Sequence, residues 1–380
     1  MKKTLTQVII VALLWIIVAT PGKLGGDTPR RLRITHSWLT GEPELTLPAN
    51  YKSSPRIGNP RLDPNFGVLG VGGKRYYGDD LGQSILMLPG DWLGTQLQKF
   101  FPGQDSEQFR QIVVSFAIFV PLNLAVIVVV YLFLRSLGFS EGISGLSSLI
   151  FLTCTTFLYY VQSTQQNNQV LLLVIMGYAT ALRAIKSGRS KWLIFSGLSL
   201  GFACLIRYTS LIHVLSVSVF LVSCQIYENR NFVSIIKSAA IWIGGFLPFS
   251  ILARLLNYLR LGTWTASAQT STIGKINQDP LFDGVAPLPE NYPFINPVYE
   301  GIIGVLFTPA KSIFIYDTLL LPCLIVVTIY WKQISPYIRL YLISACFNLA
   351  LYIVALGKFD FWHGDSAWGA RYHVTSVHLI

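Results

Sequence analysis

Charge is what this sequence has least of. Only 12% of its 380 residues are Asp, Glu, Lys or Arg, against 52% hydrophobic, a balance that excludes the two or three soluble domains its length would otherwise suggest. Cysteine is scarce as well. The five, at 154, 204, 224, 323 and 346, lie in apolar stretches with no CxxC or Cys/His spacing, which supports neither a disulfide framework nor a structural zinc site and leaves them as small core residues. No internal repeat, heptad, low-complexity tract or glycine-rich phosphate loop is present, so soluble nucleotide-sugar or ATP-driven chemistry has no motif here. What the chain has in quantity is apolar length, at a mean hydropathy of +0.52. The expected class is an all-α polytopic membrane protein.

A bilayer core of roughly 30 Å takes about 20 apolar residues of helix. Such runs fall at 6–22, 111–134, 142–161, 169–185, 235–257, 312–331 and 337–356, and a last one begins near Tyr372 and is cut off at Ile380. Lys2 and Lys3 ahead of a short apolar centre also fit a cleaved signal peptide; either way the stretch from Lys23 to Arg110 falls outside the cytoplasm. Pro121 beside Asn123 predicts a kink in the second span, and the polar run Gln162 to Gln169 predicts a hinge between the third and fourth. The runs 192–206 and 208–224, on either side of Arg207, read as an antiparallel pair that falls short of spanning or thins the bilayer locally. Organisation is then a single transmembrane domain over 1–380, with spans in 111–257 and 301–356 and outer segments at 23–110, 258–300 and 357–380.

The net charge of +11 would point a soluble chain towards nucleic acid. Here it records orientation. Eleven basic residues, among them Arg135, Lys186, Arg189, Lys191, Arg230, Lys332 and Arg339, share the cytoplasmic side with the N-terminus against only Glu141 and Glu228, as the positive-inside rule requires. The outer segments balance at 15 basic and 15 acidic residues, so nucleic acid drops out as a partner. Localisation follows: a multi-pass protein of the inner or plasma membrane, with its chemistry outside the cytoplasm.

The first outer segment is too long for a mere connection and carries Trp38, Tyr51, Phe66, Tyr76, Tyr77, Trp92 and Phe100 among Pro and Gly turn signals. Within it, 81–93 places Leu81, Ile85, Leu88 and Trp92 at helical spacing, an amphipathic helix lying in the membrane interface with Trp92 at headgroup depth. Ionisable groups outside the spans gather at four places: Gly25-Gly26-Asp27-Thr28-Pro29-Arg30-Arg31; Tyr76-Tyr77-Gly78-Asp79-Asp80 leading into Leu81; a turn over 304–312, broken by Pro309, that brings Lys311 to the membrane boundary; and 361–372, which holds Trp362, His363, Asp365, Trp368, Arg371 and Tyr372.

In this order the four stretches resemble the polytopic GT-C glycosyltransferases, the superfamily of protein mannosyltransferases and of aminoarabinose transferases acting on lipid A, and within it bacterial members of unknown substrate. The resemblance runs along nearly the whole chain. It rests on the acid after the first span, the G-x-L-F-x-P-x-K-x stretch followed by Tyr316-Asp317, and the W-x-G-x-x-x-W-G-x-R-Y stretch from Trp362 to Tyr372. It implies a GT-C-like helical bundle whose large first outer loop carries interfacial helices. It further implies a sugar donor on a polyprenyl phosphate, an acceptor glycan, lipid or protein outside the cytoplasm, an inverting hexosyl or pentosyl transfer, and a catalytic base at Asp27. Family counterparts continue into more spans beyond the point where this chain stops.

Elementary chemistry assigns the other roles. A base at the outer end of a helix reaches an acceptor hydroxyl at headgroup level, while cations stabilise the departing phosphate; Arg371, Lys311 and Arg207 are the expected phosphate-binding residues, Arg for a bidentate grip and Lys as a point charge. Asp79, Asp80, Trp362, His363, Asp365, Trp368 and Tyr372 are the expected acceptor or sugar contacts. No cofactor is called for, and a divalent metal is left open, since two adjacent carboxylates do not specify a metal site. Plainer readings stand beside these: a turn or N-cap carboxylate for Asp27, a helix N-cap for Asp79 and Asp80, a hydrogen-bonded anchor for His363 and Asp365, snorkelling for Arg207, and belt aromatics for the rest. The rival function is a carrier or flippase that moves a lipid-linked sugar or solute without chemistry. It would place ionisable groups near the bilayer midplane on broken helices.

Overall fold

The computed structural model describes residues 2–46, 67–264, 267–276, 278–282, 288–289, 291–364, 367 and 369–380. Over these the chain is an all-α polytopic membrane protein. The only sheet among the described residues is an antiparallel ribbon of β1 (Val68–Leu69) and β2 (Arg75–Tyr76). The helices run α1 (Lys2–Ala19), α2 (Thr28–Thr40), α3 (Gly82–Gln98), α4 (Ser106–Val114), α5 (Val120–Leu137), α6 (Glu141–Cys154), α7 (Phe157–Ser163), α8 (Asn167–Ser187) and α9 (Lys191–Ile206). They continue through α10 (Leu211–Tyr227), α11 (Phe232–Leu261), α12 (Ala268–Ile276), α13 (Val298–Phe307), α14 (Ile313–Tyr316), α15 (Leu320–Ile329), α16 (Pro336–Gly357) and α17 (Val374–Val377). Among the described residues five stretches are long and apolar enough to cross a membrane: Ser106–Leu137, Asn167–Ser187, Tyr208–Tyr227, Phe232–Leu261 and Pro336–Gly357. α6 and α7, bent by 57°, make a sixth when counted as one span.

Helix α8 is the axle of the bundle, packed against α5, α9 and α10. Val170, Leu171, Val174, Tyr178, Ala181 and Leu182 are fully buried along it. Where α8, α10 and α16 meet, the Tyr178 hydroxyl pairs with that of Ser216, Ser344 Oγ donates to Tyr178 at 3.2 Å and Ser216 Oγ to the Ser344 carbonyl at 2.6 Å. Buried hydroxyls satisfied in this way join helices that have no water to turn to.

Several expected boundaries move. The second span begins earlier, with α4 and α5 joined by a π-helical turn, Ser115–Phe119. The irregularity expected at Pro121 thus falls in the turn before it, where an N–H-less proline leaves a carbonyl without its usual partner. The 235–257 run is the middle of a 30-residue helix whose last turn carries Arg260. The 312–331 run is broken into α14 and α15 around Asp317, and the stretch after Tyr372 forms only the short α17. The expected pairing of 192–206 with 208–224 is also corrected. α9 packs on α11 and α8, while α10 packs on α16 and α8. Glycine decides this: a Cβ on Gly197 would sit 2.2 Å from the Trp242 carbonyl oxygen, one on Gly201 2.6 Å from that of Phe246, and one on Gly245 2.5 Å from that of Ile194. Two backbones come that close only where side chains are missing.

The helix expected over 81–93 forms as α3 and runs on to Gln98. Its inward face is made of Ser84, Met87, Gly90, Asp91 and Gly94, and its outer side bears Trp92, 55% exposed. The sequence gives no sign of Asp91's role. It is fully buried and holds Arg110 of α4 at 2.9 Å and His36 of α2 at 2.9 Å, so one carboxylate clamps the three helices α2, α3 and α4.

The two ends of the bundle differ in kind. At one, Thr4 Oγ1 donates to Glu141 at 3.4 Å, Lys186 Nζ donates to the Ser136 carbonyl at 2.6 Å and sits 5.1 Å over the Tyr337 ring, and Tyr337 hydrogen-bonds Glu228. The basic connections after α5, α8 and α10 and before α16 are therefore gathered together. The opposite end collects the start of α2, the α7–α8 corner, the α9–α10 corner and the chain around Arg371.

Candidate functional site

Asp27 occupies the N-cap position of α2 but makes no side-chain cap hydrogen bond. Pro29 in the first turn needs no donor partner there, and the carboxylate turns outward instead. Its Oδ2 lies 3.1 Å from Arg371 Nη2, its Oδ1 3.2 Å from Arg30 Nη2, and Arg31 Nη2 stands at 3.9 Å. At 28% exposure it is the open member of the network. Asp79 is its closed counterpart, 8% exposed and held by Arg31 at 2.8 Å and Arg30 at 3.1 Å. Arg31 also donates to Gln83 at 3.2 Å. Arg30 and Arg31, which the sequence offered only as neighbours of Asp27, link the two acids.

The floor under this network is the α7–α8 corner. Thr164 adopts a left-handed backbone, φ 51°, uncommon for a β-branched residue. In that pose its carbonyl accepts from Thr28 Oγ1 at 3.0 Å and Gln83 Nε2 at 3.0 Å, and its hydroxyl oxygen accepts from the Gly25 N–H at 3.1 Å. Gly25 and Gly26 let the chain lie against this corner, since a Cβ on Gly25 would meet the Ser163 carbonyl oxygen at 2.6 Å and Gly26 has φ +57°. Gln166 and Asn167 then reach Arg207: Arg207 Nη2 donates to Asn167 Oδ1 at 2.6 Å, and Nε to Gln166 Oε1 at 3.4 Å. Asn167 Nδ2 donates to the Arg371 carbonyl at 3.0 Å. Residues 164–169 are all buried; the expected hinge is a packed polar hub.

Electrostatically the cluster is anion-seeking. Four guanidiniums, of Arg30, Arg31, Arg207 and Arg371, outnumber the two carboxylates, and among the described residues the buried Nε atoms of Arg31 and Arg371 meet no hydrogen-bond partner. Burial alone would raise the Asp27 pKa, but the charges of Arg31, Arg371 and Arg30 outweigh it and hold the carboxyl well below the usual carboxylate range. Asp80 goes the other way. It accepts backbone N–H bonds from Tyr208 at 3.1 Å and Ala268 at 3.3 Å, yet the stronger effect of burial pushes its carboxyl up to about 6. It lines a small pocket with Leu81, Cys204, Leu205, Ala253 and Asn257 and, through Tyr208, steadies the corner beside Arg207.

Lys311 Nζ donates to the Ala367 carbonyl at 2.6 Å, bracing the loop that leads to Arg371. Trp362 packs over Gly304, where a Cβ would come within 2.0 Å of its ring. His363 lies edge-on to Trp362 and Phe361. Tyr372 packs against Phe359, with the Arg371 guanidinium 5.3 Å from its ring centre. The structure thus joins Asp27, Asp79, Arg371 and Arg207 in one network and sets Lys311, Trp362, His363 and Tyr372 in the adjoining layer. Asp365 and Trp368 lie outside the described residues. Among the described residues no group of three or more His, Cys, Asp or Glu is arranged to hold a metal ion. Glu44 with Arg260 at 2.6 Å and Asp279 with Arg75 at 2.6 Å tie the long first loop to α11 and to the segment after α12.

Residues 107–253 match the model of the dolichyl-phosphate-mannose-protein mannosyltransferase family. The matched stretch holds the α7–α8 hub and Arg207; Asp27, Asp79, Lys311 and Arg371 lie outside it. No curated protein and no solved structure matches the chain.

Proposed function

We propose that this protein is a membrane glycosyltransferase that moves a sugar from a polyprenyl-phosphate donor to a hydroxyl-bearing glycan, lipid or protein on the extracytoplasmic side, with inversion at the anomeric carbon. The observation that carries the reading is the half-open Asp27 carboxylate sharing guanidiniums with an otherwise cation-rich network, at the end of the bundle away from the basic connections. The family match over 107–253 supports the same class.

In the reaction the acceptor oxygen attacks the anomeric carbon, its proton passes to Asp27, and the bond from the anomeric carbon to the phosphate oxygen breaks. Arg371 and Arg207 stabilise the charge that gathers on the leaving phosphate. The depressed pKa of Asp27 has a consequence here. With its guanidiniums unshared it is a poor proton acceptor, but a phosphate bound to the same cations draws off their pull and raises the proton affinity of the carboxylate. Base strength then appears only with donor in place. Trp362 and Tyr372 in the adjoining layer supply aromatic faces for the sugar, and Asp79 keeps Arg30 and Arg31 aligned.

The test uses membranes containing the protein and a labelled polyprenyl-phosphate sugar. Wild type should move the label from the lipid to acceptor, and Asp27→Asn should lower that rate by about 10²- to 10⁴-fold at unchanged expression. Full activity in Asp27→Asn removes the base. Label that crosses the bilayer still attached to its original lipid would favour a carrier.

A further inference from the structure

Resting on that reading, we propose that Asn167 is a positioning residue that sets Arg207 and Arg371 to grip one phosphate. The two arginines come from distant parts of the chain, Arg207 from the α9–α10 corner and Arg371 from the segment before α17, and each feels the other's like charge. The Asn167 amide ties the two segments together with both of its ends: Oδ1 accepts from Arg207 Nη2 at 2.6 Å, and Nδ2 donates to the Arg371 backbone carbonyl at 3.0 Å, while the Arg371 guanidinium is aimed by Asp27 at 3.1 Å. An amide offers an acceptor and a donor on one short planar group whatever the pH. Aspartate keeps the shape but loses the donor, and leucine loses both.

Asn167 is itself held rigid. It is 1% exposed, opens α8 directly after the strained Thr164 corner, and its own carbonyl accepts from Thr375 Oγ1 at 3.3 Å. An uncharged holder is also the right chemistry for the task, because a carboxylate there would neutralise Arg207 and compete with the phosphate it is meant to bind. Arg207 has Asn167 and Gln166 for side-chain partners, and no acid among the described residues pairs with it within salt-bridge distance. Its charge is kept for an incoming anion. Thr164, three residues earlier on the same corner, anchors the Asp27 loop through Gly25 and Thr28 and bonds neither Arg207 nor Arg371, which makes it the natural comparison.

The experiment measures binding of a short-chain polyprenyl phosphate, and of the uncharged polyprenol, to the purified full chain in detergent. Wild type should prefer the phosphate. Asn167→Ala should weaken phosphate binding about tenfold, the loss of one charge-assisted hydrogen bond, with polyprenol binding unchanged. Asn167→Asp, which keeps the side-chain shape should the alanine variant fail to fold, should weaken phosphate binding further. Thr164→Ala should leave phosphate binding within about twofold while lowering transfer rate. Wild-type phosphate affinity in either Asn167 variant overturns the inference, as does an equal loss of phosphate affinity in Thr164→Ala. A wild type that does not distinguish phosphate from polyprenol overturns the underlying phosphate site instead.

Discussion

Two carboxylates in the long first loop are driven in opposite directions by their surroundings, Asp27 downward by guanidiniums and Asp80 up to about 6 by burial, and separation of this kind is how one site keeps one acid ionised and another protonatable. The consequences for pH differ in sign. An acid whose folded pKa lies below its unfolded value stabilises the fold above the ordinary carboxylate pKa of about 4 and loses that contribution only as pH falls through the depressed value. Asp27 therefore stays ionised across the neutral range, and removing the Arg371 charge in Arg371→Ala should move the acid limb of the pH–rate profile upward; an unmoved limb would detach Asp27 from that limb. Asp80 is the reverse case. Its raised pKa favours the fold at pH below about 4 and loses that advantage as pH rises through about 6, so the melting temperature in detergent should fall over that window and Asp80→Asn should flatten the slope. Asp27, Arg371 and Arg207 could be picked out as candidates in the sequence because ionisable residues are rare in this chain and stand out at span ends, and the role proposed for Asp27 came from the family resemblance. The links of Arg30 and Arg31 to Asp79 and the roles of Asn167 and Asp91 could not be read there, because those partners lie 19 to 204 positions away, which no local pattern records.

At the scale of the element, apolar run length located most helices, since bilayer thickness sets it directly. It could not tell which helix packs on which. Gly197 and Gly201 on α9 and Gly245 on α11 are the determinant, and their Cβ positions fall inside the opposing backbone. Gly201→Val should lower stability by about 1 to 3 kcal/mol or more through overpacking, read as a lower melting temperature in detergent, whereas Gly244→Val on the facing helix α11, where a Cβ meets nothing within 4 Å, should be tolerated. Equal effects at the two positions would remove the close-contact account. The polar run 162–169 marks a break, between α7 ending at Ser163 and α8 starting at Asn167. Only the tertiary fold reveals that Thr164 to Gln169 are also the buried hub between the acid and the arginines.

For the whole molecule, the fold class followed from composition, and the separation of a basic end from a mixed acid and base end followed from loop charge. The structure brings the basic connections together by contact at one end and the Asp27 network at the other. In a chain whose five cysteines are replaced by alanine, Lys74→Cys should react with a membrane-impermeant thiol reagent on intact cells and Lys186→Cys should not; the opposite pattern would reverse the orientation. Whether Asp27 and its arginines transfer a lipid-linked sugar is decided by the envelope-glycan and lipid-linked sugar profile of cells carrying the wild-type gene or Asp27→Asn as sole copy. Asp27→Asn cells should lose one glycoform and accumulate its lipid-linked donor. Identical profiles, with the variant protein present at wild-type level, would contradict that role for Asp27.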